Sequence, residues 1–255
     1  MGTEQVSTPS IVIEAEDEEC GVWTGRLECE GVKQVREHLQ KHWDGEGCPL
    51  VGSDSRLAAF SHFDGTRNKF SHEKQRLNTL RWRGDRRRRA QIRKHLPGYA
   101  SIEDAFLSWL STQLPLLRPH LAVYNAHILR QGHDLGGGSG FKGHVDDADE
   151  GKQGLYLSAA VKLTQDPDSS GGSREGSSMQ VMGKKPIMYG SEAGSFVVFF
   201  SRKWHESLPT PAHMGRVLKL VLFIRFVTPA LVEQYHQLLA QHPDFVEVGK
   251  DNFLA

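Results

Sequence analysis

The sequence predicts an all-β core with flanking helices, an α+β chain built around a double-stranded β-helix, or jelly roll. Three observations predict it. The segments Leu121–Arg130, Leu155–Leu163, Ser195–Ser201 and Val217–Val227 are rich in β-branched and aromatic residues, which suit a pleated, packed surface. Between them lie Gly136-Gly-Gly-Ser-Gly140 and the Ser- and Gly-rich stretch 168–178, which are loop compositions. On either side of the strands stand segments of helical periodicity, and a sheet with an apolar face needs such cover.

The elements follow in chain order. Ile11-Val-Ile13 reads as a short strand, and Gly31–Trp43 as a helix with Val32, Val35 and Leu39 on one face. Residues 44–80 are mixed and carry no clear period. Ser101 opens a second helix, with Asp104 completing a capping box. Ile102, Ala105, Phe106, Trp109 and Leu110 then form its apolar stripe. Glu192-Ala-Gly194 is a turn entering the third core strand. Thr228 caps a last helix that has Pro229 at its first position. The expected organisation is an N-terminal mixed helical region over 1–118, the β core over 119–228 and a C-terminal helix and tail over 229–255. Ser101–Leu114 and Pro229–Gln241 are expected to brace the core.

Composition excludes several classes. At 255 residues and 38% hydrophobic content the chain can bury a sizeable core. No apolar run reaches the length of a membrane span. The N-terminus has neither a secretory signal pattern nor, with Val6 at the sixth position, a myristoylation pattern. The expectation is a soluble intracellular protein, cytoplasmic or nuclear. Cys20, Cys29 and Cys48 are widely spaced, which suits reduced thiols better than a zinc site. Lys plus Arg and Asp plus Glu are both 31, so there is no general attraction to polyanions. Locally, residues 81–94 concentrate basic charge, with Arg81, Arg83, Arg86–Arg89, Arg93 and Lys94.

A His and a carboxylate two residues apart on a strand share a face and can reach one metal ion. The chain has this spacing four times, at His42/Asp44, His62/Asp64, His144/Asp146 and His242/Asp244. The spacing alone therefore has little specificity, since most such pairs are surface or turn residues. Context selects His144-Val-Asp146, which follows a Gly-rich loop and precedes further strands. Later in the β-rich region, Phe199-Phe-Ser-Arg-Lys-Trp-His205 is a strand running into a histidine. Two histidines and a carboxylate can occupy one face of a ferrous ion and leave the others open. Eleven residues after His205, Arg216 could pair with a carboxylate of a ligand.

Residues of about 120–227 resemble the core of the Fe(II)/2-oxoglutarate-dependent dioxygenases, particularly the prolyl-hydroxylase-like branch. The matching pieces run in family order. They are His144-Val-Asp146, Asp166 with Ser170-Gly-Gly-Ser173, Glu192 to Phe200, Trp204-His205-Glu206 and Gly215-Arg216. The resemblance implies His144, Asp146 and His205 as iron ligands and catalytic residues. It implies Arg216 as the 2-oxoglutarate anchor, with Lys162 as the equivalent used in other branches. Tyr124 is a candidate to touch the co-substrate. Lys219 and Arg225 lie on the same strand as Arg216 and compete with it, and strand parity places Arg216 and Lys219 on opposite faces. The place where many relatives carry a second, hydroxyl contact is Leu218 here.

The implied activity is hydroxylation of a C–H bond with Fe(II), 2-oxoglutarate and O2, releasing succinate and CO2, with ascorbate as an optional auxiliary. The implied substrate is a protein side chain or a small molecule, with no membrane partner. Three alternatives stand beside it. Segment 81–94 could serve a nucleic-acid-modifying dioxygenase. The chain could instead be a cupin-like metal protein without catalysis. Or it could be a nucleic-acid-binding module in which the β core is only scaffold.

Overall fold

The computed structural model describes residues 9–17, 22–43, 62–63, 78–83, 86–113, 121–132, 156–165, 179–182, 186–188, 190, 192–200, 203–207 and 216–225. In chain order the elements are β1 (Ser10–Asp17), β2 (Val22–Glu28), α1 (Glu30–Trp43), β3 (His62–Phe63), β4 (Asn78–Arg83), α2 (Arg86–His95) and α3 (Tyr99–Gln113). They continue with β5 (Ala122–Gly132), β6 (Tyr156–Lys162), β7 (Met179–Met182), β8 (Pro186–Met188), β9 (Ser195–Phe200), β10 (His205–Ser207) and β11 (Arg216–Arg225). The expected C-terminal helix lies outside the described residues.

The strands form an eight-stranded sheet in the order β1-β2-β9-β6-β11-β5-β4-β3 and a three-stranded sheet in the order β10-β7-β8. Every recorded pairing is antiparallel. β9 shows how both faces of the larger sheet are used. All six of its residues are buried, which is why Phe196-Val-Val-Phe-Phe200 reads as an unbroken apolar run rather than an alternating one. Phe196, Val198 and Phe200 belong to one core. Val197 and Phe199 belong to another. Successive residues of a strand point to opposite faces, so the two cores lie on the two sides of the sheet.

The outer core is roofed by helices. α1 contributes Val32, Val35 and Leu39, and α3 contributes Ile102, Phe106 and Leu110. Phe106 and Trp109 meet Phe196 with ring centroids 5.1 and 5.9 Å apart. Gly31 of α1 packs against Gly98, the residue before α3, so tightly that a Cβ on either would fall within 2.5 Å of the other's carbonyl oxygen. Gly98 also has φ +81°, a conformation that favours glycine. Helix α3 starts immediately after it, at Tyr99, two residues before the expected Ser101. Ser101 is therefore already inside the first turn and is not the cap.

The inner core joins the two sheets. Val181 of β7 packs with Val22, Leu129, Ala160, Val197, Phe199 and Val221 of the larger sheet. The N-terminal region is more than bracing helices, because β1, β2, β3 and β4 supply both ends of the larger sheet. The turn at Glu192–Gly194 is where expectation and structure meet most closely. Gly194 has φ +92°, its N–H donates to the Lys162 carbonyl at 2.8 Å, and its own carbonyl accepts from Leu27 N–H at 2.9 Å. That one glycine ties β2, β6 and β9 together.

Candidate active site

Among the described residues, Thr24, Ser158, Lys162, Ser195 and Lys219 are buried polar residues on the inner face of the larger sheet. Register defines that face. Lys219 of β11 pairs with Lys162 of β6 on one side and Leu129 of β5 on the other. Cross-strand partners share a face, and Leu129 belongs to the inner core. Lys162 and Lys219 therefore stand side by side on adjacent strands, beneath the small sheet. Both are fully buried, 0% and 2% exposed. Lys162 Nζ donates to the Gly190 carbonyl at 3.3 Å. Lys219 Nζ donates to Ser207 Oγ at 2.8 Å, so it reaches across to β10 of the small sheet.

His205 opens β10. It pairs with Val181, whose side chain is in the inner core, so the imidazole enters the space between the sheets. It is 3% exposed. Its ring lies against Phe199, centroids 4.5 Å apart. Its Nδ1 is 3.0 Å from the Lys203 carbonyl. A carbonyl only accepts, so Nδ1 donates this hydrogen bond. Backbone carbonyls commonly orient metal-binding histidines in this way.

The structure brings together three residues singled out from sequence, His205, Lys162 and Lys219. Ser207 is an addition. Its signal was available, since it lies two residues after His205 and a strand places such residues on one face. Tyr124 sits at the irregularity in β5, where the register with β11 shifts between Asn125 and Val123. Arg216 is the first residue of β11, opposite Gly132, and pairing is continuous from there to Phe223. Position 216 is thus in step with Leu218, Leu220 and Leu222, which join the outer core. His144 and Asp146 lie outside the described residues.

A buried histidine whose Nδ1 is held by a backbone carbonyl has the orientation common to metal-binding histidines. Two lysines in one cross-strand pair, one of them bonded to a hydroxyl, are groups of the kind that can pair with the distal carboxylate of a 2-oxo diacid. Among the described residues no three His, Cys, Asp or Glu side chains are grouped as a metal site, and of the three expected iron ligands His205 alone is described.

The basic segment 81–94 is divided by the fold. Glu103 of α3 is fully buried and accepts from Arg89 Nε at 2.7 Å and Arg93 Nη1 at 2.9 Å. Arg93 also forms a two-bond fork with Asp104, each bond 2.8 Å. The hydrogen bonds from Arg93 to Asp104, with Glu103 adding its charge, hold that guanidinium well above its ordinary pKa. Two arginines of the segment are therefore engaged in pinning α2 to α3. Among the described residues no helix is long and apolar enough to cross a membrane.

No family model matches the sequence, and no curated protein matches it. Solved structures do. EvdO2 from Micromonospora carbonacea var. aurantiaca superposes with a TM-score of 0.54 at 13% identity, covering 85% of this chain and 94% of its own. The non-heme alpha ketoglutarate dependent carbocyclase SnoK, from nogalamycin biosynthesis, gives 0.51 at 15% identity, covering 84% and 85%. A prolyl-4-hydroxylase from Pseudomonas putida gives 0.47 at 16% identity, covering 77% and 88%. The chain has the fold of a known non-heme alpha ketoglutarate dependent carbocyclase, SnoK.

Proposed function

We propose that the protein is an Fe(II)- and 2-oxoglutarate-dependent dioxygenase that hydroxylates a C–H bond of a protein side chain or a small molecule. Its two facing sheets are read as a double-stranded β-helix. The observation that carries the proposal is the grouping of His205, Lys162, Lys219 and Ser207 in the space between the sheets. In this reading His144, Asp146 and His205 hold the iron. With dioxygen, the metal and co-substrate when bound supply oxidative chemistry that releases succinate and CO2.

The chain's own residues then have separate tasks. The Lys203 carbonyl holds His205 in one tautomer and one orientation. Phe199, against its ring, excludes water from that side. Lys219 anchors the distal carboxylate of 2-oxoglutarate, with Ser207 positioning its amino group and Lys162 adding a second cation alongside. Arg216 stood first for the anchor role on sequence, and Lys219 is preferred because its register position is on the inner face. Ser207 takes over the hydroxyl role for which Leu218 offers nothing. The rival readings built on segment 81–94 are weakened by the pairing of Arg89 and Arg93 with Glu103. A non-catalytic metal protein would not need Lys219 to bind 2-oxoglutarate, and the titration below separates the two.

The test needs no knowledge of the substrate. Fe(II) and 2-oxoglutarate are added anaerobically, and the weak visible charge-transfer band of the chelate is titrated. The wild type is expected to show the band, and His205→Ala to lose it. Lys219→Met should need at least tenfold more 2-oxoglutarate, while Arg216→Ala titrates like the wild type. No band in folded, metal-loaded wild type would overturn the dioxygenase reading. A large effect of Arg216→Ala with none of Lys219→Met would return the anchor to Arg216.

A further inference from the structure

Strand β4 carries the arginines of segment 81–94 that are not on the helix. It pairs with β5 in unbroken register, Thr79 with Leu129, Arg81 with His127 and Arg83 with Asn125. Leu129 belongs to the inner core and partners Lys219. Positions 79, 81 and 83 are therefore on the inner face of the larger sheet, the face that holds the candidate active site. Leu80 and Trp82 alternate with them and share rows with Ile128 and Ala126 of the outer core. β4 is next to the end of the sheet, with β3 alone beyond it.

Arg83 also shares a transverse row with the site. The row runs from Arg83 to Asn125, Phe223, Ser158 and Phe199 through successive pairings. Phe199 is the residue against which His205 is stacked. The row crosses four inter-strand steps, about 19 Å along the sheet at the usual strand spacing. An extended peptide covers that distance in about six residues.

We propose that Arg81 and Arg83 recognise an oxyanion on an extended peptide substrate, a carboxylate side chain or a phosphorylated one, a few residues from the residue that is hydroxylated. The inference rests on the dioxygenase reading and adds to it a class of substrate. A guanidinium pairs with carboxylate or phosphate through two parallel hydrogen bonds. Two such residues on alternate positions of one strand give a binding edge with a fixed spacing. This placement separates Arg81 and Arg83 from Arg89 and Arg93, which are engaged with Glu103.

The experiment measures succinate released from 2-oxoglutarate by the full chain, loaded with iron, in the presence of peptide pools. The pools carry a single Asp or Glu, a single phosphoserine, the corresponding Asn or Gln, or a single Lys, stepped along the peptide. Succinate release above the peptide-free rate is expected only from the carboxylate or the phosphoserine pools, and which of them responds identifies the source of the oxyanion. Against the active pool, Arg81→Gln with Arg83→Gln should raise KM roughly thirtyfold or more while leaving kcat nearly unchanged. Arg81→Lys with Arg83→Lys, which retains the charge, should recover part of that loss.

Equal stimulation by the amide or lysine pools, the same KM in the glutamine variant, or stimulation by small carboxylic acids and by no peptide pool would each overturn the proposal. So would no stimulation from any pool. The anaerobic chelate band, measured on the same proteins, separates the two readings. A band without peptide selectivity overturns the peptide proposal alone, and its absence in the wild type overturns the dioxygenase reading beneath it. Unfolding temperatures of both double variants show whether each is folded.

Discussion

At the scale of single residues, location in the fold decides chemistry that residue type leaves open. Cys29 sits just before the first turn of α1, and its Sγ accepts from Gly31 N–H at 3.3 Å. A helix N-terminus lowers a thiol pKa when the sulfur is accessible. Here burial outweighs the backbone hydrogen bonds, and the thiol is pushed above its ordinary range. The sign is definite. At pH 8 the folded protein holds less thiolate at this position than an exposed cysteine would. Alkylation of the Cys29 peptide by iodoacetamide, followed by mass spectrometry, is expected to be slower than that of a reference thiol and to keep rising with pH beyond the ordinary thiol range. A plateau at or below that range would contradict the burial argument. The same shift subtracts stability at high pH, because the unfolded thiol ionises first.

At the scale of elements, α2 and α3 are joined by charge. Glu103 is fully buried and receives Arg89 and Arg93, each about 30% exposed. Removing one partner of a buried ion pair leaves the other side uncompensated. Glu103→Gln should cost about 2–3 kcal/mol, below the usual range for buried pairs because both arginines are partly solvated. Chemical denaturation of wild type and variant measures this directly. A loss under about 0.5 kcal/mol would mean that the apolar contacts of Ile92 and Leu96 hold α2 by themselves.

Elements also differ in how plainly they could be read from sequence. α1, α3, β5, β6, β9 and β11 were legible because each carries its own period or an unbroken β-rich run. β2 was not. Val22-Trp-Thr-Gly-Arg-Leu-Glu has glycine and arginine in its middle, and it is held as a strand by pairing with β1 on one side and with β9, far along the chain, on the other. β4, Asn78-Thr-Leu-Arg-Trp-Arg, is fixed in the same way by β5. The site divides similarly. His205 stood out from the strand that precedes it. The choice between Arg216 and Lys219 depends on which face of β11 is inward, and the register of β11 with β5 and β6 supplies that. Ser207 acquires meaning only when Lys219 reaches it from the other sheet.

At the scale of the whole molecule, the candidate site is made by two sheets and belongs to neither. His205 and Ser207 come from the small sheet, and Lys162 and Lys219 from the large one. A ligand bridging them should hold the sheets together, and its binding free energy then appears as folding stability. At 100 times its dissociation constant, one ligand adds about 2.7 kcal/mol, or roughly 5–10 °C in Tm for a chain of this size. Anaerobic thermal unfolding with Mn(II) in place of iron is therefore expected to rise in two increments, one for metal and one for 2-oxoglutarate. Lys219→Met should keep the first increment and lose most of the second, because its change lies only at the carboxylate end. His205→Ala should lose both, since the co-substrate is held partly through the metal. If 2-oxoglutarate stabilised Lys219→Met as much as the wild type, the lysine would be a structural strut between the sheets. The anchor would then have to lie on another element.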